Sequence, residues 1–389
     1  MKQKISENFS RKEILALSIT VCTLIGLFAS SFEVHAEIPD YFYDADSPRT
    51  LNYVIDPRSA ISTIRPALFL VSLLAHFLHF FVTPYVAWSI INVIAAITLG
   101  IFLGSQFRER QEFLISSSLL ATNFSLIVWV LVPDTFLIAM AFFVVGIVIY
   151  QDGTNRGRVI LGGVIAVSMN LFLLLPWTLS QLFIGKQKFR QKLGNLTILI
   201  GAITSLSIVI QYCQKFKTQL AIISSANVRS LEEVRNYLLF YNQPGVVSKV
   251  DVFGWIHIPW IGFVDNTISF FAAPWTPTYK YVPGIWAIDS IYFPRYFLFT
   301  SICLTFFSYA GIAKLRLQDQ RLYIFLVSLE FSCYLLFLTY GTHPFLFSPL
   351  LIGSRLFGIL YLVHERKLYL YLYLAISVLL TSLSLNLLN

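Results

Sequence analysis

Apolar residues run along most of the chain in stretches near twenty residues, parted by short polar or basic clusters. After a first run that ends at Phe32, the stretches fall at about 86–105, 113–131, 134–150, 158–171, 172–185, 194–212, 296–314, 321–340, 345–362 and 368–387. About twenty residues of helix cover the hydrocarbon of a bilayer. Strands of a membrane barrel would instead alternate over about ten residues, and these runs do not alternate. The pattern predicts an all-α integral membrane protein with about eleven transmembrane helices. Three outer features interrupt it, an acidic first loop over 33–63, a long late segment over 213–294 and a short turn near 341–345. The expected organisation is an N-terminal transmembrane module over 1–212, the outer-face segment 213–294 and C-terminal transmembrane helices over 295–389. Within the long segment, Ser225–Tyr241 reads as one amphipathic helix, followed by an apolar, aromatic and proline-rich stretch containing Trp255, Trp260, Trp275 and Trp286.

Composition sharpens this expectation. Only 12% of the 389 residues are charged and 57% are hydrophobic, whereas a globular chain carries about a quarter charged residues. Basic clusters at Lys2–Lys4, Arg11–Lys12, Arg108–Arg110, Arg156–Arg158, Lys186–Lys192 and Arg366–Lys367 stand at the ends of apolar runs. They predict a cytoplasmic N-terminus and a multi-pass protein of the inner (plasma) membrane, with the lipid bilayer as partner. An odd number of crossings is then needed before Arg108. The apolar stretch 64–83, which Pro84 closes, is accordingly expected to lie in or re-enter the outer face, and the run at 158–185 to turn back near Asn170. The first helix is expected to remain uncleaved, because Val34-His35-Ala36 is a poor cleavage site. The net charge of +8 is explained by these clusters and does not point to nucleic acid. The four cysteines lack metal-ligand spacing, and charges in the middle of the apolar runs read as nearly absent.

Candidate chemistry concentrates in the first outer loop, which holds Glu33, Glu37, Asp40, Asp44, Asp46 and Asp56. A carboxylate at a lipid–water boundary can deprotonate an acceptor hydroxyl or bind a divalent cation, magnesium or manganese. Asp44 and Asp46 share a face if the segment is extended; in a solvated acidic turn they do not. Arg49 and Arg65 can meet a phosphate bidentately or simply brace the acidic loop. Asp134, after Val132-Pro133, is either the N-cap of the following helix or the floor of a cavity. His343 stands in the turn TYGTHPFLFSP as a base, a phosphate donor or a structural histidine. No glycine-rich phosphate loop is present, so no nucleotide cofactor is expected.

The stretches YFYDADSPRTL and THPFLFSPLL, with the Pro-Asp turn and the layout of runs and loops, resemble the GT-C superfamily of membrane glycosyltransferases that use polyprenyl-phosphate-linked sugars. The resemblance implies transfer of a sugar from the polyprenyl-phosphate carrier to a membrane-proximal lipid, glycan or protein acceptor on the outer face. It assigns the catalytic acid to Asp46, with Asp44 beside it and Asp134 as the second acid, and places His343 near the donor phosphate. Arg65-Pro66 stands where the family has a histidine-proline pair, a departure at a phosphate-binding position. Two other classes compete. A transporter or flippase would place charges along a mid-span route. A surface polysaccharide polymerase or ligase would carry arginines in a large outer loop, where Arg229 and Arg235 stand.

Overall fold

The computed structural model describes residues 47–60, 65–105, 123–150, 156–184, 189–215, 249–252, 256–259, most of 267–275, 295–317, 319–339, 348–363 and part of 372–382. Helix α1 (Ser47–Ile55) occupies what the sequence suggests is loop. Thr50, Tyr53 and Val54 lie on one face and are buried, with Arg49 and Asn52 outward, the spacing of an amphipathic helix. A 3-10 turn over Pro57–Ala60 follows. Helix α2 (Leu68–His79) then packs on α1, and the His76 ring donates from Nδ1 to the Val54 carbonyl at 2.7 Å. Its twelve residues rise about 18 Å, too little to cross a bilayer, and it ends before the proline that opens α3 (Pro84–Ser105).

The apolar run around 124–150 is divided by Val132 and Pro133 into α4 (Phe124–Leu131) and α5 (Phe136–Tyr150), bent by 112°. Proline supplies no backbone donor, so the helical ladder stops there. Asn92, on α3, bridges the gap by donating from its amide to the Trp129 and Val132 carbonyls at 3.0 and 3.4 Å. Next come α6 (Arg156–Ser168), a 3-10 turn over Leu171–Leu173 that Asn170 caps through Phe172 N–H, and α7 (Leu174–Phe183). Helix α8 (Phe189–Lys215) is the longest described. A short antiparallel hairpin pairs β1 (Lys249–Val252) with β2 (Ile256–Pro259), Lys249 opposite Pro259. Val250, Val252, Ile256 and Ile258 alternate with polar residues there, the period of a strand. The amphipathic helix expected over Ser225–Tyr241 lies outside the described residues, as does the first apolar run.

Three further helices are α9 (Arg295–Leu315), α10 (Gln320–Thr339) and α11 (Pro349–Val363), and the described residues within 372–382 are helical as well. Helix α5 is apolar on every side and mostly buried, α11 is buried over Pro349–Tyr361, and the two touch. They form the centre, with α3 and α4 against both and α9 along α11. Ser348, at the start of α11, is tied to α4 by Trp129 Nε1, which donates to it at 3.0 Å. Helices α9 and α11 approach backbone to backbone because Gly311 and Gly358 face each other, and a Cβ on Gly311 would run into the Gly358 carbonyl.

This architecture corrects the expected eleven crossings. Among the described residues two helical spans, Pro84–Leu103 and Gln320–Leu338, are long and apolar enough to cross a membrane, and the bent pair α4–α5 makes three if counted as one span. A multi-pass inner-membrane topology, and with it the bilayer as partner, is not supported by two or three such spans. The physical reason is that runs continuous in sequence break into shorter helices in space. The α2, α6, α7 and α11 regions supply apolar helices of 10–17 residues. Much of the apolar surface is used by helix-on-helix contact, since 56% and 61% of the two candidate spans are buried within the protein. High hydropathy measures apolar content and is blind to whether lipid or another helix covers it.

Candidate functional site

Of the candidate residues, Asp44, Asp46 and His343 lie outside the described residues. Arg49 is exposed on α1, its guanidinium 5.9 Å from the centre of the Tyr53 ring. Arg65 is half-buried just before α2, and its carbonyl accepts from Leu68 N–H at 3.0 Å. Asp134 is buried at 5% exposure and Oδ1 accepts the N–H groups of Thr135 and Phe136, the latter at 3.0 Å. It thus satisfies donors that the start of α5 leaves without helical partners. Trp88 Nε1 donates to its carbonyl at 3.0 Å. Asp134 is inside and Arg49 outside. Among the described residues no group of three or more His, Cys, Asp or Glu is arranged to hold a metal.

The densest polar constellation among the described residues lies elsewhere, on α9, α10 and α11. Arg355 of α11 is fully buried at 0% exposure, and Glu330 of α10 is 7% exposed. Arg355 Nη2 donates to Glu330 Oε2 at 3.1 Å, while Nε reaches both carboxylate oxygens at 3.3 and 3.4 Å. Tyr309 of α9 donates to Oε2 at 3.0 Å, and Ser354 donates to Oε1 at 2.5 Å. Burial, with the Glu330 charge adding to it, pushes the Tyr309 hydroxyl above the usual tyrosine range, so it remains a donor. The remaining guanidinium nitrogen, Nη1, donates to the carbonyls of Phe270, at 2.7 Å, and Ala273, and to Thr305 Oγ1 at 3.1 Å. Those carbonyls belong to a short helical turn around Thr267–Ala272. Thr305 donates to Phe271 O at 2.6 Å and accepts from Trp275 Nε1 at 3.0 Å. One arginine therefore fastens the 270–275 turn to three helices, and its charge is balanced by Glu330. Such a pair is stable only because nearly every donor is used.

A cavity of about 340 Å³ opens against this network. Phe270, Phe271, Tyr309, Tyr323, Phe331 and Tyr334 supply aromatic walls, and Glu330 is the charged group among the lining residues. Ala313, Val327 and Phe331 are exposed and mark the mouth. Packing fixes the walls: Phe270 meets Tyr334 and Phe337 edge-on at 5.1 and 5.3 Å, and Phe271 stacks on Phe306 at 5.6 Å. Tyr334 is further held by a 3.2 Å hydrogen bond with Thr267.

Glu330 and Arg355 are the exceptions to apolar runs that are otherwise nearly free of charge. The signal was present, an acid inside 322–339 and a base inside 349–363. An ionisable residue in an apolar run needs a partner. What spacing does not reveal is that the two are partners.

No family model matches the chain, and no curated protein or solved structure matches it either. With two or three candidate spans among the described residues where eleven were expected, the likeness to GT-C glycosyltransferases is therefore corrected. The sugar transfer, polyprenyl-phosphate donor and outer-face acceptor that it implied lose their footing, as do the transporter and polymerase alternatives.

Proposed function

We propose that this chain is a binding protein for a small, mostly apolar molecule, held in the cavity between α9, α10 and the 270–275 turn. The observation that carries this reading is the cavity itself: about 340 Å³, aromatic on most sides, with one carboxylate at its wall. Small-molecule sites are concave and largely apolar, with few polar groups to orient the ligand. The walls are also pre-organised, because Arg355 and Thr305 hold the turn that carries Phe270 and Phe271. A site whose walls are already ordered loses little conformational freedom on binding.

The test uses the purified full chain and the neutral fluorophore N-phenyl-1-naphthylamine. Wild type is expected to give a saturable rise in fluorescence. Val327→Trp, at a mouth position 40% exposed, is expected to remove that saturable part and to leave the melting temperature nearly unchanged. Equal saturable binding by both proteins, or none by wild type, would overturn the reading.

A further inference from the structure

We infer that the ligand of this cavity is a neutral, planar molecule of two or three fused rings bearing one O–H or N–H donor directed at Glu330, an inference that rests on the binding-site reading above. Size comes first. A cavity of roughly 150 Å³ holds one benzene ring, so 340 Å³ accommodates about two rings. Flatness follows from the walls, where Phe270, Phe271, Tyr309, Tyr323, Phe331 and Tyr334 offer ring faces and edges that favour another aromatic ring.

Charge decides the rest. A carboxylate only accepts hydrogen bonds, at about four lone-pair sites. Ser354, Tyr309 and Arg355 Nη2 take three of these at 2.5, 3.0 and 3.1 Å, whereas the Nε contacts at 3.3 and 3.4 Å are long and shared. One acceptor position is thus weakly used, and a ligand donor can take it. An anionic ligand would meet a carboxylate with no donor offered to it by that group. A cationic ligand fares little better, because Arg355 already neutralises Glu330. The same guanidinium lies 4.6 Å from the Phe270 ring centre and 5.8 Å from that of Tyr309, using the cation–π capacity of those walls. A neutral donor remains.

Competition against bound N-phenyl-1-naphthylamine, with naphthalene, 2-naphthol, 2-naphthoate and 2-naphthylmethylammonium as competitors, tests this. 2-Naphthol is expected to displace the probe about tenfold better than naphthalene, the gain from one hydrogen bond to a charged acceptor. The two ions are expected to compete no better than naphthalene. Glu330→Leu combined with Arg355→Met removes the acceptor and its counter-charge together. In that double variant the affinity ratio of 2-naphthol to naphthalene is expected to fall to about one, whatever the change in the affinity of either. If naphthalene or either ion equals 2-naphthol on wild type, or if the double variant keeps the preference, the ligand class is wrong although the site stands. If no Val327→Trp-sensitive probe binding exists at all, the site itself fails, and the two failures are told apart.

Discussion

Asp134 and Glu330 are both buried carboxylates, and they do different work. Asp134 answers a local need, since its oxygen accepts the N–H groups of the next two residues at the start of α5. Glu330 answers a distant one, meeting Arg355 twenty-five positions along the chain and Tyr309 twenty-one positions back. The arginine in turn reaches carbonyls 82 and 85 positions away. Capping by Asp134 requires only correct local dihedrals. The Glu330 network requires that α9, α10, α11 and the 270–275 turn have already come together, so it reports the tertiary fold and shapes a cavity as it does so. A buried acid is therefore informative about function according to how far away its partners come from.

The largest effect that tests this contrast is on the arginine. Arg355→Met leaves Glu330 buried without its counter-charge and is expected to cost about 3–5 kcal/mol in denaturant unfolding. The double variant with Glu330→Leu is expected to recover most of that loss, because an apolar pair replaces an ion pair with little penalty. A double variant as unstable as the single one would show that the carbonyl contacts of Arg355, and not the charge pairing, hold the turn.

Asp134→Ala should have a smaller effect, about 1 kcal/mol, the usual worth of an N-cap. Asp134→Asn should be nearly silent because asparagine caps equally well. A large loss from the asparagine variant in thermal unfolding would mean that the Asp134 charge matters beyond the cap, and the two acids would then be alike.

The smallest effect belongs to an exposed acid. Asp56 accepts from Arg58 Nε at 2.8 Å, and this hydrogen bond holds its carboxyl below the ordinary value. The unfolded chain binds that proton more readily, so the pair's contribution is present above about pH 4 and fades as pH falls through the lowered folded value. Both side chains are largely exposed, at 41% and 66%, so the contribution is slight and salt-screened. Wild type and Asp56→Asn should differ marginally in melting temperature at neutral pH and converge in strong acid. A gap that widens on acidification would reverse the sign.

Several elements were legible from residues alone. Pro84 opens α3, Pro133 ends a helical run, and Asn170 marks a turn. Each acts through its own backbone chemistry. Asp134 was legible as a cap for the same reason. The hairpin at Lys249–Pro259 has a sequence signal in its alternating β-branched residues, set in an aromatic and proline-rich stretch that masks the period. Helix α1 was hidden behind the acidic residues of its loop.

The sequence by itself determined that apolar helices dominate the described structure and where several of them begin and end, because helix propensity, proline and capping act within a few residues. Tertiary structure alone decided which apolar faces turn inward, that α5 and α11 lie at the centre, and that Glu330 meets Arg355 beside an aromatic cavity. Burial and ion pairing depend on which segments are neighbours in space, and hydropathy along a chain holds no record of those neighbours.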